Sequence, residues 1–227
     1  MPDDDTAAVA ALADDARRAL YEFVVAQRAP VGREQAAAAL DMPLHRVRFH
    51  LERLERAGLL EADYARAPGR SGPGAGRPAK RYRRADREVA VSLPPREYDL
   101  AGSLLASAID AATATGEPVA AAVARVARER GRALATRGGV PAGDALDAAA
   151  AALAELGFEP HREGDVVELA NCPFHELSRA HTALVCGMNA SLIGGLVEAL
   201  APGAVHARLD PAPGRCCVVL EIGPSAG

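Results

Sequence analysis

Residues 44–60 read LHRVRFHLERLERAGLL, and the fold of the N-terminal half follows from that stretch. Leu44, Val47, Leu51 and Leu54 recur at helical spacing and fall on one narrow face. Pro43 stands where a first-turn proline is tolerated, because its missing N–H would have no partner inside the helix. Gly58 can take the left-handed conformation that ends a helix. At about 100° per residue, the side away from the leucines carries His45, Arg46, Phe49, Arg53 and Arg56, and Arg48 joins them as a candidate contact. A structural helix more usually mixes acids and bases on its outer face. This one is read as mainly basic with one aromatic, which suits a helix that enters the major groove and meets phosphates at its margins.

Working outward, residues 32–40 (GREQAAAAL) predict a short Ala-rich helix, and Asp41-Met42-Pro43 a tight break. Two helices joined by so short a turn make a helix-turn-helix, whose second helix is the reader. Downstream, residues 59–67 (LLEADYARA) predict a strand, 68–78 (PGRSGPGAGRP) a loop, and 80–85 (KRYRRA) a returning strand. Helix, helix, then a hairpin with a long basic tip is the winged variant of the motif. Arg77, Lys80, Arg81 and Arg83 are its candidate phosphate contacts. The plainer alternative is a small helical domain with a basic loop.

The stretches VRFHLERLERAGLLEA at 47–62 and GRPAKRYRRA at 76–85 carry a resemblance. Residues 14–88 resemble the winged-helix DNA-binding domain of ArsR-like bacterial transcription regulators. The resemblance implies a double-stranded DNA operator as partner and a regulator rather than an enzyme; it does not imply which operator.

The chain has 227 residues, enough for two modest domains. Hydrophobic content of 49% and charged content of 25% are ordinary for a globular protein. A net charge of −4 means that DNA binding needs a local basic patch, and Arg66 to Arg87 supplies one. Residues 1–15 are acidic and lack the basic start and apolar run of a secretory signal. No stretch is read as apolar for the length of a membrane span. The expected location is the cytoplasm, where the four cysteines are expected to be ligands or redox groups rather than disulfides.

Along the chain, residues 3–13 are expected to fray and 14–28 to form the first helix, with Leu20, Phe23 and Val24 inward. Residues 88–93 are a short strand or a linker. Residues 96–115 and 118–137 predict two long helices, the second with Val119, Val123, Val126 and Leu134 inward. Such helices beside a winged domain pair two chains into a homodimer or else build an intrachain core. From Gly143 the pattern becomes a helix capped by Asp144, strands at 158–162 and 166–169, an apolar helix at 182–200, and strands at 205–209 and 216–222. The predicted class is α+β: an N-terminal winged helix-turn-helix domain (1–93), a helical linker or dimerisation region (94–142), and a sensor domain (143–227) of helices packed on a small antiparallel sheet.

Cys172, His175, His181 and Cys186 lie in one short segment, and Cys216-Cys217 follow. Thiolates and imidazoles are the ligands of zinc and iron–sulfur sites, so these six are the candidate metal ligands. As neighbours on a strand, Cys216 and Cys217 would face opposite ways, leaving one for a shared site. The competing readings are a buried hydrophobic cysteine at 186, surface histidines at 175 and 181, a metal-free thiol-redox or small-ligand sensor, and a Cys/His enzyme. The segments NCPFHELSRAHTALVC at 171–186 and RCCVVLE at 215–221 resemble the C-terminal half of iron–sulfur-responsive SufR-type repressors. That resemblance implies Cys172, Cys186 and one of Cys216 or Cys217 as cluster ligands. Gly187-Met188-Asn189-Ala190 departs from the acidic stretch expected there. A weaker likeness to 4-vinyl-reductase-type sensor domains implies zinc or a small ligand.

Overall fold

The computed structural model describes residues 2–65, 79–135 and 144–223. The chain divides into two units, Met1–Val91 and Ser92–Gly227.

In the first unit, helix α1 (Pro2–Ala11) precedes α2 (Asp15–Val25), strand β1 (Val31–Gly32), α3 (Arg33–Ala39), α4 (Leu44–Arg56), β2 (Leu60–Ala65) and β3 (Ala79–Arg84). The segment expected to fray is therefore largely helical. Ala8 and Ala11 are buried, and Arg17 Nε donates to the Ala11 carbonyl at 2.6 Å. Asp14 caps α2 by accepting from Arg17 N at 2.9 Å. The three strands form an antiparallel sheet of order β1-β3-β2, with Tyr82 opposite both Val31 and Ala62. Leu20, Val24, Val47, Leu51, Leu54, Leu60 and Tyr82 make the core. Residues 88–93 form no strand.

In the second unit, α5 (Tyr98–Thr115), α6 (Val119–Ala135), α7 (Ala145–Glu155), β4 (Pro160–Glu163), β5 (Val166–Leu169), α8 (His175–Ala180), α9 (Thr182–Leu200), β6 (Val205–Leu209) and β7 (Val218–Ile222) follow in order. The antiparallel sheet runs β4-β5-β7-β6. Asp144 caps α7, accepting from Leu146 N and Asp147 N. The helices of the 94–142 region, expected either to pair two chains or to build an intrachain core, share one core with the rest of this unit: α6 packs along α9, and α5 on α6. Val119, expected inward, is 51% exposed, whereas Ala122, Val123, Ala127, Gly131 and Ala135 are buried. The seam runs through small residues because the backbones touch. A Cβ at Gly131 would stand 2.0 Å from the Leu192 carbonyl oxygen, and one at Gly195 2.0 Å from that of Arg128.

Helix α9 corrects another expectation. It is long and apolar enough, by length and composition, to cross a membrane. In this fold its Val185, Leu192, Ile193 and Leu196 lie inside the core.

Candidate nucleic-acid interface and thiol site

The break between α3 and α4 turns on Asp41, whose φ of 48° is left-handed, a region that Asp tolerates better than most residues. Met42 N returns to the Ala37 carbonyl at 3.1 Å. Pro43 is the N-cap of α4, one residue before its first turn, and its carbonyl accepts from Arg46 N and Val47 N. At the far end, Gly58 (φ 70°) donates to the Glu55 carbonyl, and Leu59 N to that of Leu54. This is the paired-bond ending that satisfies a helix's last carbonyls.

The inward face of α4 is Val47, His50, Leu51 and Leu54. Leu44, expected with them, is 47% exposed: it lies in the first turn, ahead of the point where the helix meets the core. His50 stands in its place as a buried polar member of the stripe. Three residues beyond Val47, it is a position that helical spacing marks but that sequence reading passed over.

The outward face exposes His45, Arg46, Arg48, Phe49, Arg53 and Arg56, with Phe49 54% exposed. These side chains are not electrostatically alike. Arg48 Nε is paired with Glu52 at 2.9 Å, and that bond raises the pKa of Arg48 and lowers that of Glu52. Arg56 Nε donates to the Glu52 carbonyl. Arg46 Nε donates to His50 Nε2 at 3.4 Å.

On the hairpin, Lys80 Nζ is 2.6 Å from Glu55 of α4 and 5.3 Å from the Tyr82 ring centroid. The Glu55 bond raises the pKa of Lys80. Lys80 therefore ties β3 to α4. Arg83 pairs with Glu61 across the β2–β3 ladder at 2.8 Å. Arg81, opposite Asp63 in the register, is partly buried. Arg77, with the predicted hairpin tip, lies outside the described residues.

In the second unit, the six candidate ligands are not brought together. Cys172 is 8% and Cys216 1% exposed, and their thiols are hydrogen-bonded to each other. Cys217 is partly exposed and touches Cys216; Cys186 is partly exposed on α9. Both Cys216 and Cys217 precede β7 rather than lying in it. Cys216 N nonetheless bonds the Leu169 carbonyl at the end of β5. His175 is exposed, with Nε2 3.9 Å from Glu176, and His181 is exposed at the N-cap of α9. Among the described residues, no three of His, Cys, Asp and Glu form a group that could hold a metal ion. The donor set therefore does not fit the cluster or tetrahedral zinc that the resemblances imply.

The bond to Cys216, then burial, raises the Cys172 thiol far above the ordinary thiol value. For Cys216 the bond from Cys172 acts downward, but contact with Cys217 and burial outweigh it and hold the thiol at about 11. Both are protonated at neutral pH. Asn189, fully buried, donates from Nδ2 to Cys216 Sγ at 3.2 Å, while its Oδ1 has no partner. Sequence reading missed Asn189, since an asparagine within an apolar helix gives no spacing signal of its partner.

The comparisons agree with this geometry. Residues 12–62 match the family model described as a helix-turn-helix domain, which spans α2 to the start of β2. The N-terminal unit thus carries a helix-turn-helix domain of the kind found in transcription regulators. No curated protein and no solved structure matches the chain.

Proposed function

We propose that this protein is a DNA-binding transcription regulator of the winged helix-turn-helix kind, related to the ArsR-like group. In this reading α4 lies in the major groove, the β2–β3 hairpin is the wing, and a homodimer places two reading helices on paired half-sites of a double-stranded operator. That places its work with the chromosome, in the cytoplasm, and makes it a regulator rather than an enzyme. The observation that carries the reading is the exposed face of α4. His45, Arg46, Phe49 and Arg53 project from a helix whose other side is fixed in the core by Val47, Leu51 and Leu54. Binding-site selection from a random-sequence duplex pool, followed by fluorescence anisotropy on the selected and a scrambled duplex, tests it. Recovery of no sequence preference overturns it.

The second unit is the sensor in this proposal. Of the sensor readings, the metal-free one is favoured over the SufR-type cluster. Cys172 and Cys216 form a protonated, buried pair, whereas cluster and zinc ligands are thiolates that must converge in threes or fours. Metal and acid-labile sulfide analysis of anaerobically purified protein decides the matter. Iron with sulfide, or stoichiometric zinc, would restore the cluster or zinc reading.

A further inference from the structure

Helix α4 carries a buried imidazole among the apolar side chains of its inward face. His50 is 5% exposed, and its ring meets Phe49 edge-on at 5.3 Å between centroids. A leucine would fill this core position without burying polar atoms. The two ring nitrogens have different surroundings. Nε2 accepts from Arg46 Nε at 3.4 Å, so Nε2 carries no proton. In a neutral imidazole the proton then sits on Nδ1. Nδ1 has no hydrogen-bond partner and lies 4.0 Å from Asp14 Oδ1, an oxygen already accepting the α2 cap bond from Arg17 N.

We propose that His50 is a positioning residue for DNA recognition: its unprotonated Nε2 holds Arg46 by Nε and so presents the two terminal amino groups of that guanidinium outward. The proposal rests on the reading of α4 as the DNA-contacting helix. An arginine on an exposed helix face samples many rotamers, and each costs entropy to fix on binding. A guanidinium held by Nε still has its terminal N–H groups free for the paired acceptors of a guanine edge. Protonated His50 loses the acceptor and adds a positive charge beside Arg46, so base recognition fails while phosphate attraction does not.

The charged groups acting on His50 are Asp14 and Arg17, from the start of α2, and Arg46 of its own helix. Burial, the largest effect, together with Arg17 and Arg46, favours the neutral ring and outweighs Asp14. Loss of recognition is therefore expected below the ordinary imidazole range rather than at neutral pH.

The test uses the full-length protein and the duplex that the parent itself selects, with a scrambled duplex as reference. The quantity read is the ratio of the two affinities. His50→Leu should lower that ratio roughly tenfold, within the discrimination carried by one bidentate base contact. His50→Gln, which keeps an acceptor at similar reach, should recover most of it. Combining His50→Leu with Arg46→Ala should give no further loss beyond Arg46→Ala alone. In the parent the ratio should fall only as the pH is lowered below the ordinary imidazole value of 6.5, and in His50→Leu it should not. Equal weakening on both duplexes, additive losses in the double variant, or the same pH profile with and without His50 would each overturn the proposal. If His50→Leu does not fold, the His50→Gln comparison and the parent's pH profile still decide it. A parent that selects no sequence overturns the DNA reading itself. A parent whose ratio depends on Arg46 but not on His50 overturns this inference alone.

Discussion

Adding one methyl group at Gly131 or at Gly195 should destabilise the second unit, although the same change in an ordinary helix interior stabilises. Two effects oppose each other. Glycine to alanine within a helix gains about 1 kcal/mol of propensity. Against it, the added Cβ at Gly131 would lie 2.0 Å from the Leu192 carbonyl oxygen and 2.8 Å from Leu196 N, and that at Gly195 2.0 Å from the Arg128 carbonyl oxygen. Carbon and oxygen approach comfortably at about 3.3–3.6 Å, so α6 and α9 must part by more than about 1 Å. The obstructing atoms are backbone, so no rotamer change relieves them. Overpacking of this kind costs typically about 1–3 kcal/mol, occasionally more. Contact on both helices puts these sites at or above the upper end, leaving a net loss of about 2 kcal/mol or more. Gly102 is the internal control: it lies within α5, is exposed, and a Cβ there would meet nothing within 4 Å. Gly102→Ala should stabilise by roughly 0.5–1 kcal/mol. Thermal unfolding followed by far-ultraviolet circular dichroism reads the difference, since 1 kcal/mol moves Tm by about 2–4 °C in a chain of this size. Tm values that rise in Gly131→Ala and Gly195→Ala, as in Gly102→Ala, would refute the close crossing.

Arg53→Ala should flatten the log–log salt dependence of DNA binding by about 0.9 if the residue contacts a phosphate. Lys80→Ala should change it less, because its ammonium is already engaged by Glu55 at 2.6 Å; equal slopes in the two variants would contradict that ranking. The Asp144 carboxyl is held at about 2, first by Arg162 and then by the Asp147 backbone N–H. Its contribution is therefore present above its unfolded value, near 3.8, and lost as the pH falls through about 2. Asp144→Ala should lower Tm at neutral pH by an amount that shrinks toward pH 2, and a deficit constant across that range would argue against the pairing. In native protein at about pH 8, Cys186 and Cys217 should react with a disulfide reagent before Cys172 and Cys216, which are buried and held protonated. Peptide mapping of the first labelled residues checks the order.

What the sequence made legible was whatever a single element declares by itself. Helix α4 carries its own stripe and its own stop at Gly58, and α9 its apolar length. The Asp144 cap is visible because an acid stands just ahead of an Ala-rich run. Strand β1 was not legible, because two residues have no period and pair only once Tyr82 of β3 lies opposite. Helix α1 was missed because its acidic start and small residues give no pronounced apolar face; it is held by contacts from elsewhere, including the Arg87–Asp5 ion pair. The inward face of α6 was misjudged for a related reason. Hydrophobic spacing favours large side chains, so Val119 was expected inside. The packing instead relies on the missing side chains of Gly131 and Gly195, and a crossing of that kind is visible only when both helices are in view.

The candidate sites divide along the same line. Spacing within 171–186 suggested a ligand set, but only the pairing of Cys216 with the end of β5 decides which sulfur meets Cys172, and that pairing is long-range. In the DNA-binding unit a count of basic residues treats every cation as available. The acids on α4 and β2 change this: Glu52 takes Arg48, Glu55 takes Lys80 and Glu61 takes Arg83. For a chain of net charge −4, these pairs matter more than the total. They leave Arg46, Arg53 and Arg56 as the cations on the outer face of α4 with no ion pair to an acid side chain among the described residues, Arg56 bonding only the Glu52 backbone carbonyl. Paired arginines can brace the helix and hairpin, but a base edge or a phosphate must be met by a group whose hydrogen-bond donors are not already taken by a carboxylate. If α4 is the reading helix, as proposed, recognition would depend on which cations the fold leaves unpaired and how they are held, more than on how many it has.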